Sequence, residues 1–215
     1  MKHLTFSKPL LEEAAPATTP QKHRREARLQ TILDEARLVL SRNGYADFTL
    51  RKVAAEAGVP LGTLQHYFPT RELLLTTVIT QTIRTFNDRY EQISLGPDTA
   101  EQKLLAIVDL ALREIEEPDT RAFFLEVTTV AVHEKFAAEA LTESHRNYLG
   151  LLTRLVGEIN SSLTRAESEL RALLIAAQVE GFMMFGKEAT ASAQRDQEAL
   201  RRAVKLVASS LCSAA

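Results

Sequence analysis

The stretch from Phe48 to Leu73, FTLRKVAAEAGVPLGTLQHYFPTREL, decides how this chain folds. Thr49 is a good helix N-cap, and Leu50, Val53, Ala54 and Ala57 fall at i, i+3, i+4 and i+7, which gives a short helix with one apolar face. Gly58 ends it, because glycine enters the left-handed conformation that closes a helix at no steric cost, and Pro60 suits a helix's first turn. A second helix is therefore predicted to start near Pro60 or Leu61. Leu64 and Phe68, four apart, give it an inward face, while Thr63, Gln65, His66 and Tyr67 place hydrogen-bonding groups on a segment too short to need them for solubility. Two short amphipathic helices around a glycine turn are the layout of a helix-turn-helix element, whose second helix is built to lie in a DNA groove.

Gly44 and Tyr45, Phe48 to Leu50, Val53 to Val59, and Gly62 to Leu74 together resemble the DNA-binding region of the TetR (tetracycline repressor) family of transcriptional regulators, over roughly residues 24 to 75. Two positions depart from the family pattern. Pro60 stands where a serine N-cap is frequent, and Gln65 stands where a tyrosine is frequent. The resemblance implies an all-α chain: an N-terminal three-helix DNA-binding domain, then a C-terminal helical ligand-binding and dimerisation domain. On that reading residues 1–22 are a flexible arm, 23–71 the DNA-binding domain and 72–215 the body.

The chemistry of the head points the same way. Arginine reads guanine because its planar fork meets two acceptors in the major groove. Arg51, in the first turn of the first short helix, occupies the position that in similar regulators can reach a base, and Lys52 beside it reads as a solvated or phosphate-facing charge. Thr63 can touch a phosphate or a thymine methyl, and Gln65 can pair with adenine or bond a phosphate. His66 and Tyr67 match the family's aromatic positions, and the resemblance makes Arg71 a phosphate clamp. The recognition helix itself holds no Lys or Arg between Leu61 and Tyr67, so affinity has to come from flanking cations and from pairing two heads, with a strong dependence on salt.

Charge is distributed accordingly. Residues 21–71 carry nine Lys/Arg against five Asp/Glu, whereas 72–215 carry fifteen against twenty-one, hidden inside a net charge of -2. A basic head on an acidic body fits a polyanion-binding module. The arm ends in Gln21-Lys22-His23-Arg24-Arg25, which can add phosphate contacts, enter the minor groove, or simply be a solvated helix start.

With 215 residues and 45% hydrophobic composition the chain can bury a real core. No run approaches the roughly eighteen apolar residues of a membrane span, and residues 1–20 lack a secretory signal's apolar segment, so a cytoplasmic protein without membrane contact is expected. Cys212 is the single cysteine and reads as a helix-end thiol. Neither a metal site nor a cofactor is expected. His133-Glu134 and His145 lie on helical segments without an HExxH pattern, a phosphate loop or a nucleophile turn, so no catalytic residue is assigned and the chain does not read as an enzyme.

Apolar periodicity predicts a support helix through Leu29, Ile32, Leu33, Ala36, Val39 and Leu40, stopped at Asn43-Gly44. A long helix follows from Arg71 to about Ser94, another spans Ala100 to Glu116, and Pro118-Asp119 breaks the chain again. Further helices are predicted over about 134–159, 165–187 and 195–211. Between Leu170 and Phe185 the sequence is apolar almost all round, which calls for cover on two faces. A second copy of the last two helices, about 165–187 and 195–211, is the expected cover, giving a homodimer that presents two heads to an inverted-repeat, palindromic operator in double-stranded DNA. The resemblance also implies a small-molecule effector among the middle helices. Phe86, Tyr90, Phe123, Phe124, Val127, Tyr148, Gln178 and Phe182 are the candidate lining, with Glu180, His145, Asn147 and Arg121 as polar groups nearby. The competing reading is a helical interaction protein that has lost specific operator binding.

Overall fold

The computed structural model describes residues 20–185 and 197–213, and among them the chain forms nine helices and no strand. The helices are α1 (Pro20–Asp47), α2 (Leu50–Glu56), α3 (Leu61–Tyr67), α4 (Arg71–Ser94), α5 (Ala100–Glu116), α6 (Pro118–Ala131), α7 (Lys135–Ile159), α8 (Arg165–Phe185) and α9 (Gln197–Ser213). Most of the 1–22 arm lies outside the described residues. Its basic end does not form an arm: Lys22 to Arg25 are the exposed first turns of α1.

Local chemistry explains most boundaries. The Thr49 hydroxyl accepts the Lys52 N–H at 3.2 Å, and the Thr70 hydroxyl accepts the Leu73 N–H at 3.1 Å, so α2 and α4 are both capped by threonine. Thr99 and Gln102 form a reciprocal capping box at the start of α5. Pro118 does more than break the chain: it is the first residue of α6, where its missing N–H has no helical partner to lose. α1 runs past Asn43, but at Gly44 its backbone leaves the helix, with φ 76° and ψ 171°.

Two apolar cores organise the molecule. In the first, Ile32, Leu33, Ala36, Val39 and Leu40 of α1 pack with Phe48, Val53, Leu64 and Phe68, and with Leu74 to Ile83 of α4. α6 closes this core with Phe123, Val127 and Val130, so the head's packing continues well beyond residue 71. The second core joins α5, α7, α8 and α9 around Leu104, Ile107, Val108, Leu152, Leu155, Ile175 and Val204. Cys212 is buried in it, and burial pushes its thiol up to about 11, so it is no nucleophile at neutral pH. Among the described residues no helix is long and apolar enough to cross a membrane.

Candidate nucleic-acid interface and ligand cavity

Gly58 sets the angle between α2 and α3. Its φ is 62°, its N–H donates to the Ala55 carbonyl at 3.2 Å, and the Val59 N–H reaches back to the Ala54 carbonyl at 3.0 Å, the paired bonds of a Schellman stop. The chain then turns into α3 at Pro60, whose carbonyl accepts from Thr63 and Leu64. Leu64 is fully buried and Phe68 nearly so, which anchors α3 from behind and leaves Gln65 and His66 exposed, with Thr63 and Tyr67 half-buried.

Arg51 is exposed on the first turn of α2, and no hydrogen bond or ion pair among the described residues holds its guanidinium; Lys52 beside it is half-buried. The His66 and Tyr67 rings meet edge-on at 5.8 Å, and the Arg25 guanidinium stands 5.7 Å over the Tyr67 ring. That contact brings the basic start of α1 beside the recognition helix. Sequence spacing alone could not pair residues so far apart.

Arg71 differs from a bare phosphate clamp. Its Nε donates to the Phe48 carbonyl at 2.6 Å and its Nη2 to the Tyr45 carbonyl at 2.5 Å, while the guanidinium stacks 4.2 Å from the Tyr45 ring centre. The side chain thus ties the start of α4 to the turn between α1 and α2. Arg71→Ala is expected to destabilise the protein by about 1–3 kcal/mol in urea unfolding, because two carbonyls lose a charged donor. Arg71→Lys should not restore it, since an ammonium cannot span both acceptors as the fork does.

The same turn is gripped from the body. Leaving the helix at Gly44 frees the Tyr45 N–H, which donates to Glu126 Oε2 of α6 at 3.0 Å. The approach is close: a Cβ on Gly44 would stand 3.4 Å from the Glu126 carboxylate. Tyr45 Oη donates to Glu134 at 2.7 Å, and this bond, with burial, raises the phenol's pKa. Arg42 forks onto Asp119 at 2.7 and 3.2 Å.

On its other side α6 helps line a cavity of about 430 Å³ between α4, α5, α7 and α8. Of the predicted lining, Phe86, Tyr90, Phe124 and Tyr148 are brought together here, with ring centroids 5.1 Å apart for Phe86 and Phe124 and 5.4 Å for Tyr90 and Tyr148. Four candidates are elsewhere. Phe123 and Val127 are fully buried in the first core, Gln178 bonds the Leu174 carbonyl on its own helix, and Phe182 packs on the second core. Of the polar groups, Glu180 and His145 line the cavity, Asn147 lines a shallower cleft beside it, and Arg121 lines neither. Ile115, Thr128, Leu141, Ser144, Met183 and Met184 are among the other walls.

Tyr90 Oη donates to Glu114 at 2.6 Å, and Arg89 donates to the same carboxylate at 3.1 Å. Burial raises the Glu114 pKa against the opposing pull of Tyr90 and Arg89. Tyr148 is different: its hydroxyl is buried and has no hydrogen-bond partner among the described residues.

The short helix α3, with its polar outer edge, and the helical body that encloses a cavity together define a helix-turn-helix head on an all-helical body. Residues 32–78 match the family described as bacterial regulatory proteins, tetR family. Over those residues the chain carries a TetR-type DNA-binding region. The HTH-type transcriptional repressor KstR of Mycolicibacterium smegmatis is 29% identical over 120 residues, which is 53% of this chain and 57% of that protein. The chain thus spans little more than half the length of that relative. The HTH-type transcriptional regulator PksA of Bacillus subtilis is 24% identical over 198 residues, 90% of this chain and 94% of that one. A transcriptional regulator from Saccharomonospora viridis, solved in complex with choline, superposes with a TM-score of 0.71 at 17% identity, covering 84% of this chain and 94% of that chain, and shares the fold.

Proposed function

We propose that this protein is a cytoplasmic repressor that binds an inverted-repeat operator as a homodimer and leaves it when a small molecule occupies the cavity. One observation carries the reading: Gln65 and His66 are exposed on a helix pinned from behind by Leu64 and Phe68, and Arg51 on the preceding helix is exposed with no hydrogen bond or ion pair among the described residues. In this reading Arg51 and α3 read bases, while Lys52, Arg71 and the first turn of α1 contact phosphates.

The dimer reading rests on α8 and α9. Ala172, Ile175, Ala176, Val179 and Met183 face inward, yet Leu170, Leu173, Leu174, Met184 and Phe185 of α8 are exposed, and so are Leu206 and Val207 of α9. A lone chain does not keep that many large apolar side chains of its last two helices in water without reason. Two copies facing across these helices would set the heads about 34–36 Å or somewhat more apart, one turn of duplex.

α6 is the natural transmission element. Phe124 and Thr128 line the cavity, while Asp119 and Glu126 of the same helix hold the end of α1. A ligand that fits one placement of α6 better than another shifts the spacing of the two heads, and a switch from mostly bound to mostly free needs a preference of about 5 kcal/mol. A ligand with equal affinity for both placements changes nothing.

A mobility shift on the DNA flanking its own gene, at several salt concentrations, tests the reading. Specific retention is expected, with Arg51→Ala lowering discrimination between operator and random DNA by roughly tenfold to a hundredfold. Retention of all sequences alike would favour the interaction protein that has lost its operator.

A further inference from the structure

The cavity that the effector reading invokes has a lopsided chemistry. Among the described residues that line it there is no lysine and no arginine. Its polar groups are the Glu180 carboxylate, the Tyr90 and Tyr148 phenols, the His145 imidazole and short side chains such as Ser144 and Asn87. The guanidinium of Arg89, next in sequence to Tyr90, pairs with Glu114 and leans on Phe86 at 5.4 Å.

Glu180 is the group without a counterpart. No hydrogen bond or ion pair among the described residues reaches its carboxyl, whereas Glu114, the partner of the lining residue Tyr90, is held by both Tyr90 and Arg89. The cavity opens on it and its side chain is exposed there; the protein atoms around it raise its pKa, and the nearby His145 works against the rise. Tyr148 supplies a second unmet need, a buried hydroxyl with no partner among the described residues. Around both stand the aromatic faces of Phe86, Tyr90, Phe124 and Tyr148, whose negative π-surfaces attract cations.

We propose that the cavity takes an organic ammonium, a protonated amine on an apolar chain or ring, with its N–H groups donating to Glu180 and the Tyr148 oxygen and its apolar body lying among Phe86, Phe124, Met183 and Met184. The proposal rests on the cavity being the effector site. A carboxylate or other anionic amphiphile of the same length meets one carboxylate, no guanidinium and π-faces of the wrong sign, so it is rejected on charge rather than on size.

Titration calorimetry with n-decylammonium, decanoate and decanol, each below its aggregation limit, tests this with one chain length and three head groups. Decylammonium is expected to bind at least roughly tenfold tighter than decanoate. Glu180→Gln should lower decylammonium affinity by roughly tenfold and leave decanol unchanged. Tyr148→Phe removes an oxygen that has no protein partner, so the fold should survive and decylammonium should bind severalfold more weakly. Decanoate binding as tightly as decylammonium, or no loss of decylammonium affinity in either variant, overturns the proposal. Operator binding is measured beside it in every variant. Decylammonium that binds without loosening operator leaves the cation site standing and removes its role as the signal, whereas a chain that keeps the charge preference but never retains operator DNA fails as a regulator alone.

Discussion

Leu173→Asp combined with Leu174→Asp is expected to leave a folded protein that sediments as a monomer and binds its operator about a thousandfold or more weakly. Both leucines are exposed on α8, 51% and 45% respectively, so the carboxylates meet water in the single chain and cost little there. Placed in an interface they would face their own copies, and two buried, unpaired charges per side cannot be solvated. A monomer presents one α3 to one half-site. It forfeits the second head's phosphate contacts and base readout, and the gap between specific and non-specific affinity in such proteins is about a thousandfold upward. Sedimentation velocity and a mobility shift on the same preparation check both halves. A variant that stays dimeric and holds operator as before would show that α8 is not the dimer face.

Phe48→Ala should be the most damaging single change in the head, destabilising the protein by about 3–5 kcal/mol in urea unfolding. The ring is fully buried, among the largest such side chains in the molecule, and sits in the core shared by α1, α2, α4 and α6. Its backbone carbonyl also accepts from Arg71, so collapse around the cavity would pull on that bond. Total stability of a domain is about 5–15 kcal/mol, so a loss of this size leaves the head partly unfolded near physiological temperature and abolishes operator retention. A midpoint shift below the range of ordinary surface substitutions would mean the core repacks around the missing ring.

How much of this was legible beforehand follows from the range of the interactions. α2 and α3 could be read residue by residue because their causes are local: Thr49 caps within three residues, Gly58 closes within four, and Leu64 and Phe68 share a face by spacing alone. The same holds for Thr70 and the helix that it starts. The role of Arg71 was hidden because its acceptors lie 23 and 26 residues back, and a carbonyl has no sequence signature. Glu126 against Tyr45 spans 81 positions, and only the packing of α6 on α1 brings the two together.

The cavity was half legible for the same reason. Phe123 and Phe124 are neighbours with the same chemistry, yet one fills the core beneath the head while the other opens on the cavity, since successive helical residues point about 100° apart. Gln178 and Glu180, two apart on α8, divide likewise.

The amino-acid order by itself determined the helical class, the reading helix and its outward chemistry, because capping, glycine stops and the 3.6-residue period act within a few positions along the chain. Which side chains share a cavity, which carboxylate among the described residues is left without a partner and which cation also grips the protein's own carbonyls were decided only by tertiary packing, because those contacts depend on the rotation and crossing of whole helices, which no local pattern encodes.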